Sequence, residues 1–215
     1  KRRLQEHFTD GLVTIVGSGL SVAEGIPGMW DLAQHLLKEV PDLISGTSTR
    51  TWRKIAKALE ADIDLESALL KTPPDDATEK AITSSTASFI GHHEQLVFEE
   101  VLVGGRVLRF AKLLQVLRKE PTGIPVITTN YDRLIELAAE TQQLGVDSSF
   151  VGHRHGRFDA KASRMSLCRD MNIIDKRKKV KEYCDHIRIL KPHGSIDWYS
   201  SQGSPIRCSL NLNAE

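Results

Sequence analysis

The chain has 215 residues, 40% of them apolar and 27% charged, and its 29 basic and 28 acidic side chains leave a formal net charge of +1. This composition supports a hydrophobic core and excludes a largely disordered chain. The near-neutral charge argues against a dominant nucleic-acid-binding surface, and no apolar run approaches the roughly 20 residues that span a bilayer.

The cysteines and the first residues indicate the compartment. Cys168, Cys184 and Cys208 are odd in number and widely spaced, which fits neither a disulfide framework nor a four-cysteine zinc site. Polar residues follow the basic start Lys1-Arg2-Arg3, where a signal peptide would have an apolar core. We therefore expect a cytoplasmic protein without a metal site or a membrane partner.

The first predicted strand is Leu12–Val16, which runs directly into Gly17-Ser18-Gly19. A continuous apolar run of this length is typical of a buried parallel strand. A helix is predicted between Trp30 and Pro41, because leucines recur there at helical spacing and proline terminates such a pattern. The opening unit is therefore a strand, a glycine loop and a helix.

Residues 41–120 have helical spacing and almost no strand-like segment. Trp52, Ile55 and Leu59, for example, recur at three- and four-residue intervals, which places them on one helix face. We predict that this region is a helical lobe inserted into an α/β domain.

The α/β pattern resumes with a strand at Ile124–Thr129 and a helix from Tyr131 to Thr141. A strand at His186–Leu190 is terminated by Pro192 and Gly194. Shorter strands are predicted at 149–151 and 206–210. This order of strands and helices predicts an α/β fold with a mostly parallel sheet and crossover helices.

Three polar signatures follow predicted strands at their carboxyl ends, where open α/β sheets bind ligands. They are Gly17-Ser18-Gly19-Leu20-Ser21, Thr128-Thr129-Asn130-Tyr131-Asp132 and Lys191-Pro192-His193-Gly194-Ser195. If the three strands are neighbours in the sheet, the signatures converge on one crevice.

Each signature has a structural and a functional interpretation. The glycines either allow a phosphate to approach the backbone at a helix start or merely connect a strand to a helix. One of Asn130 and Asp132 is expected to cap the following helix, which leaves the other to face a ligand. A single histidine among eight is usually structural or exposed, so His193 is a catalytic candidate through its coincidence with the other signatures.

Two other clusters carry weaker signals. The basic run 176–179 has no interleaved aromatic residues, and we interpret it as a solvated helix face instead of a nucleic-acid site. The segment 153–155 contains two histidines but has no carboxylate or cysteine at ligand spacing, and we interpret it as a solvated loop. We therefore predict neither a metal site nor direct nucleic-acid binding.

Together with Gly25-Ile26-Pro27, the three signatures resemble the sirtuin-like, or silent information regulator 2 like, NAD-binding family over residues 12 to about 199. The resemblance implies a doubly wound, Rossmann-like α/β domain in which the Gly17–Ser21 loop holds the pyrophosphate of NAD. The residues that it assigns to NAD binding are Gly17, Ser18, Gly19, Ser21, Pro27, Thr129, Asp132 and Ser195.

The resemblance also implies catalytic roles. Asn130 would contact the nicotinamide ribose or order the attacking water, and His193 would act as general base on a ribose hydroxyl or a water. Asp132 would bind the nicotinamide carboxamide. No metal is expected in this chemistry.

Two departures separate the chain from the protein deacetylases of that family. The chain lacks the two pairs of closely spaced cysteines that form their zinc module, and Gly28-Met29-Trp30 stands where they carry Asp-Phe-Arg. The tryptophan and the particular forms of the second and third signatures resemble prokaryotic sirtuin-like domains of antiphage defence systems. Those domains hydrolyse NAD, so the resemblance implies an NAD hydrolase (NADase) that releases nicotinamide and ADP-ribose or a cyclic form.

Two alternative functions are an NAD-dependent protein deacylase and a catalytically silent module that binds NAD or ADP-ribose. Because a toxic NADase must be held inactive, the resemblance further implies a homo-oligomer or a partner protein of a defence complex, such as a nucleic-acid-acting ATPase or an Argonaute-like protein. Few residues follow His193, and the first residue is not Met. We therefore expect residues 1–215 to be a single domain that is incomplete at its C-terminus.

Overall fold

The computed structural model describes residues 11–117, 122–152, 154–175 and 178–208. The chain divides into two compact units. Within the described residues, one unit combines 11–24 with 97–208, and the other is 25–96. No helix in the described part of the chain is long and apolar enough to cross a membrane.

A four-stranded parallel sheet lies in the first unit. Its strands are β1 (Thr14–Val16), β2 (Ile124–Thr128), β3 (Gly145–Asp147) and β8 (His186–Leu190), in the order β1-β2-β8-β3. The register pairs Val16 with Thr128 and Ile127 with Leu190, so β1, β2 and β8 end at the same edge of the sheet. The predicted Rossmann-like α/β fold with a parallel sheet is confirmed.

This unit also contains helices. They are α1 (Ser18–Ala23), α6 (Arg109–Leu114), α7 (Leu134–Thr141) and α8 (Ala160–Ser166). Helix α7 packs against β3 and β8, and α6 packs against α7. Helix α7 begins shortly after β2 ends. Its packing therefore holds in place the segment between them, which contains most of the second polar signature.

Antiparallel strands complete the unit. One sheet has the order β4-β5-β10-β9 and contains β4 (Phe150–Val151), β5 (His155–Phe158), β9 (Trp198–Ser201) and β10 (Ser204–Cys208). A separate hairpin pairs β6 (Cys168–Asp175) with β7 (Lys178–Tyr183).

The hairpin shows that the helical interpretation of the basic run was wrong. Lys178 and Lys179 lie in strand β7, whereas 176 and 177 fall outside the described residues. A run of like charges carries no apolar periodicity, so pairing with β6 decides its conformation. In the segment 153–155, His155 lies in β5 and residue 153 is outside the described residues.

Several predicted boundaries also differ from the structure. Strand β1 begins at Thr14 instead of Leu12, and α7 begins at Leu134 instead of Tyr131. The helix expected to end at Pro41 continues to Leu43, so Pro41 lies in its last turn and costs the helix the backbone hydrogen bond that proline cannot donate. The strand predicted at 206–210 is Ser204–Cys208, beyond which the residues are not described.

The second unit is helical. It contains α2 (Met29–Leu43), α3 (Ser48–Glu60), α4 (Leu65–Lys71) and the first part of α5 (Asp76–Leu102). Trp52, Ile55 and Leu59 are buried on one face of α3, as their spacing predicts. The predicted lobe at 41–120 overlaps this unit, whose own bounds are 25 and 96.

Candidate functional site

The three polar signatures meet at the carboxyl edge of the parallel sheet, since β1, β2 and β8 are neighbours in it. Hydrogen bonds join them to one another. Asn130 in the second signature bonds to Gly17 and Ser21 in the first. Lys191 in the third donates from Nζ to the backbone carbonyl of Asp132 in the second. The convergence that was conditional on neighbouring strands is therefore observed.

A chain of hydrogen bonds between buried side chains forms the centre of the site. The Nδ2 atom of Asn130 donates to Ser21 Oγ at 2.6 Å and to the Gly17 carbonyl at 3.0 Å. The Ser21 hydroxyl donates in turn to Asp132 Oδ2 at 2.6 Å. Asn130, Ser21 and Asp132 are 7%, 5% and 4% exposed. Because Ser21 accepts one bond and donates the next, the two bonds polarise each other.

Asp132 also holds the start of helix α7. Its second carboxylate oxygen, Oδ1, accepts from the backbone N–H of Leu134 at 3.1 Å, which satisfies one amide of the first turn. Of the two capping candidates that the sequence offered, Asp132 is thus the one that bonds the helix. Both of its oxygens have donors within the protein.

Asn130 keeps one unused acceptor. Its Oδ1 atom is buried and has no hydrogen-bond partner among the described residues. A buried polar atom without a partner is costly and uncommon in folded proteins. A hydrogen-bond donor brought beside this atom would satisfy it.

Several other residues of the three signatures are exposed to solvent. Gly17, Ser18, Gly19, Thr129 and His193 are all exposed. Gly17 is the N-cap of α1, so the predicted glycine loop is the first turn of a short helix. A Cβ atom added at Gly17 or Gly19 would meet no other atom within 4 Å. Packing within the described protein therefore does not require glycine at either position, and the backbone there is open to a ligand.

Lys191 is a site residue that sequence reasoning missed. Its side chain is 1% exposed, and Nζ pairs with Glu136 Oε1 on α7 at 2.9 Å. The same Nζ lies 3.3 Å from Ser195 Oγ, which itself donates to the Tyr131 carbonyl at 3.1 Å. One buried cation thus holds the second and third signatures together, and the predicted residue Ser195 takes part in that linkage.

The alternation of strand β8 was the available signal for Lys191. Ile187 and Ile189 are buried, Leu190 is exposed, and position 191 continues the buried series. A lysine in such a position needs a partner. Glu136 could not be identified as that partner from sequence, because the pairing depends on how α7 packs against β8.

The remaining predicted residue, Pro27, is half-buried and belongs to the helical unit. The two catalytic candidates, Asn130 and His193, both lie at the carboxyl edge of the parallel sheet. In the described part of the chain, no group of three or more His, Cys, Asp or Glu side chains is arranged to hold a metal ion.

Replacing Ser21 with alanine is expected to lower the free energy of unfolding by about 1–3 kcal/mol. The substitution removes the hydroxyl that accepts from Asn130 and leaves Asp132 Oδ2 buried without its donor. Urea unfolding followed by circular dichroism measures the loss. The matched control is Ser18→Ala at an exposed position of the same helix, expected within about 0.5 kcal/mol of the parent. Equal stabilities of the two variants would contradict the buried chain of hydrogen bonds.

No protein-family model matches the chain, and no curated protein matches it significantly. The resemblance to the sirtuin-like family therefore stays a prediction from the three signatures and Gly25-Ile26-Pro27.

Proposed function

We propose that the chain is an NAD hydrolase that cleaves the bond between nicotinamide and ribose, giving nicotinamide and ADP-ribose or a cyclic form. The observation that carries the proposal is the convergence of the three signatures around Asn130. Its buried Oδ1 atom lacks a partner among the described residues, and its Nδ2 group bonds to Gly17, an exposed glycine at the end of β1.

The residue types suit this reaction. Nicotinamide leaves as a neutral group from a positively charged pyridinium, so the protein must stabilise an oxocarbenium-like ribose and position a nucleophile. In the proposal, Asn130 Oδ1 accepts a hydrogen bond from a ribose hydroxyl or the attacking water. His193 accepts a proton at the same edge of the sheet. Neither step requires a metal.

The pyrophosphate of NAD is proposed to lie against Gly17, Ser18 and Gly19, where the backbone is open. Both oxygens of Asp132 already hold protein donors. We therefore propose that Asp132 acts on NAD mainly by orienting Ser21 and Asn130, and that a bond to the nicotinamide carboxamide would share one of these oxygens.

The test is to incubate the chain with NAD, with and without an acetylated peptide, and to quantify free nicotinamide. Nicotinamide from NAD alone supports the hydrolase. Release only in the presence of the peptide would replace it with the NAD-dependent deacylase. Calorimetric binding of NAD without any turnover, in every oligomeric state, would support the silent module.

One observation favours the silent NAD- or ADP-ribose-binding module as a second candidate. Ser21, Asp132 and the Nδ2 group of Asn130 are bonded to one another. These bonds between side chains would keep the shape of a binding site even if the residues catalysed no reaction. Turnover of NAD is therefore the decisive measurement.

The biological setting follows from the resemblance alone. We propose a cytoplasmic effector of an antiphage defence system, held inactive by homo-oligomerisation or by a partner protein. NAD concentration in cells that express the chain, compared with cells that express a site variant, tests this setting.

A further inference from the structure

Glu24 is a buried carboxylate at the end of helix α1, close to the proposed NAD residues in sequence but not among them. Its exposed fraction is 4%. Glutamates are rarely buried to this degree without a partner, because removing the charge from water is costly. Glu24 must therefore have hydrogen-bond donors within the protein.

The carboxylate of Glu24 bonds to the start of helix α6. Its Oε1 atom accepts from the backbone N–H of Arg109, the first residue of that helix, at 2.6 Å. The first amides of a helix have no partner within the helix, and Leu108, the residue before α6, has no polar side chain to bond them. A carboxylate also suits the positive end of a helix dipole. Glu24 thus caps α6 from 85 positions away in the sequence.

The backbone of Glu24 is held as well. Its carbonyl accepts from the guanidinium of Arg106 at 2.9 Å, and its N–H donates to the Ser21 carbonyl at 3.0 Å. The first bond ties the end of α1 to the segment before α6, and the second continues the helical turn back to Ser21. All these residues belong to the same compact unit. Glu24 therefore attaches the last turn of α1 to α6 through both its side chain and its backbone.

Helix α1 depends on such attachments because it has only six residues. A helix this short is not stable in water on its own. Ser21 attaches it to Asn130 and Asp132 at the carboxyl edge of the sheet. Glu24 attaches its other end to α6. The conformation of the exposed Gly17–Gly19 backbone, where α1 begins, therefore depends on both attachments.

We propose that Glu24 is a positioning residue for NAD binding. By fixing the last turn of α1, it keeps the Gly17–Gly19 backbone in the conformation that receives the pyrophosphate, so that NAD binding costs less ordering entropy. Glu24 itself touches neither NAD nor the reacting atoms. The inference rests on the proposed function, and it names a residue that none of the three signatures contains.

The experiment compares Glu24→Ala with the parent in steady-state release of nicotinamide and in calorimetric titration with NAD. We expect KM and Kd for NAD to rise about tenfold, as for loss of one charge-assisted hydrogen bond. The kcat at saturating NAD should fall by less than about threefold, because bound NAD orders the loop and Asn130 and His193 are unchanged. A role in stability alone would lower the free energy of unfolding without changing KM.

Three further variants separate the carboxylate from its neighbours. Glu24→Gln keeps an oxygen that can accept from the Arg109 N–H, so its KM should lie within about threefold of the parent value. Arg106→Ala removes the donor to the Glu24 carbonyl and leaves the buried carboxylate bonded, and KM should rise about threefold. Lys112→Ala, at an exposed position on α6, is the matched control and should keep the parent KM.

The outcomes distinguish this inference from the proposed function. Parent-like KM and Kd in both Glu24→Ala and Arg106→Ala would overturn the positioning role and leave the hydrolase in place, as would a loss of kcat without a change in KM. If Glu24→Ala does not fold, the KM of Arg106→Ala decides. A parent that binds NAD without turnover would overturn the hydrolase alone, since Kd still reports the role of Glu24. A parent that does not bind NAD would overturn both.

Discussion

Replacing Asn130 or His193 with alanine is expected to lower nicotinamide release from NAD by roughly 100-fold or more in each case. Asn130→Ala removes the buried Oδ1 acceptor proposed to hold the ribose hydroxyl or the water. His193→Ala removes the proposed proton acceptor. Initial rates of nicotinamide formation at saturating NAD measure both effects.

The histidine control is His155→Ala, because His155 is also exposed and lies in the antiparallel sheet. It should retain the parent rate. The free energy of unfolding of Asn130→Ala is measured in parallel, since Nδ2 bonds to Gly17 and Ser21. His193→Ala serves as the variant that leaves the buried hydrogen bonds in place. Parent-level turnover in both Asn130→Ala and His193→Ala would remove the site assignment.

Replacing Lys191 with methionine is expected to destabilise the protein by about 3 kcal/mol, at the lower end of the range for breaking a buried ion pair. The lysine side chain is 1% exposed, whereas Glu136 is 17% exposed and keeps some contact with solvent. The substitution leaves the Glu136 carboxylate without its cation and the Asp132 carbonyl without its donor. Urea unfolding followed by circular dichroism measures the change.

A double-mutant cycle separates the ion pair from loss of packing. In Lys191→Met with Glu136→Leu, no buried charge remains unpaired, so the double variant should be more stable than the sum of the two single changes predicts. Lys161→Met, at an exposed position on α8, should change stability by less than about 0.5 kcal/mol. Additive effects in the cycle would show that the pair contributes little coupling.

Strands β1, β2 and β8 of the parallel sheet were predictable because each is a short apolar run next to glycine or proline, whereas β3 has a single apolar residue and was not predicted. Strand β8 was located at both ends: the predicted run His186–Leu190 has the observed bounds, and Pro192 and Gly194 follow shortly after it. The helix after β2 was placed three residues too early, because Asp132 bonds the N–H of Leu134 and sets the start of α7 there. Such a side-chain choice between two capping candidates is not visible in apolar periodicity.

The candidate site was predictable as a set of loops but not as a set of contacts. Strand order brings the loops together, and the apolar runs in the sequence indicate β1, β2 and β8 without their order in the sheet. Asn130 and Asp132 were both singled out from the sequence. Their hydrogen bonds, however, depend on Ser21, which accepts from Asn130 and donates to Asp132 across the edge of the sheet. The role of Lys191 depends on Glu136 in the same way, through packing of a helix against a strand.

The bond between Ser21 and Asp132 joins residues 111 positions apart in the sequence. Closing so long a loop costs conformational entropy. The contacts that form when β1 pairs with β2 offset this cost only at that point. During synthesis, β1 therefore leaves the ribosome long before its neighbour exists, while the helices between them can form from local contacts. We expect these two strands to pair late in folding, so a slowly folding variant would have intact helices well before it has a site.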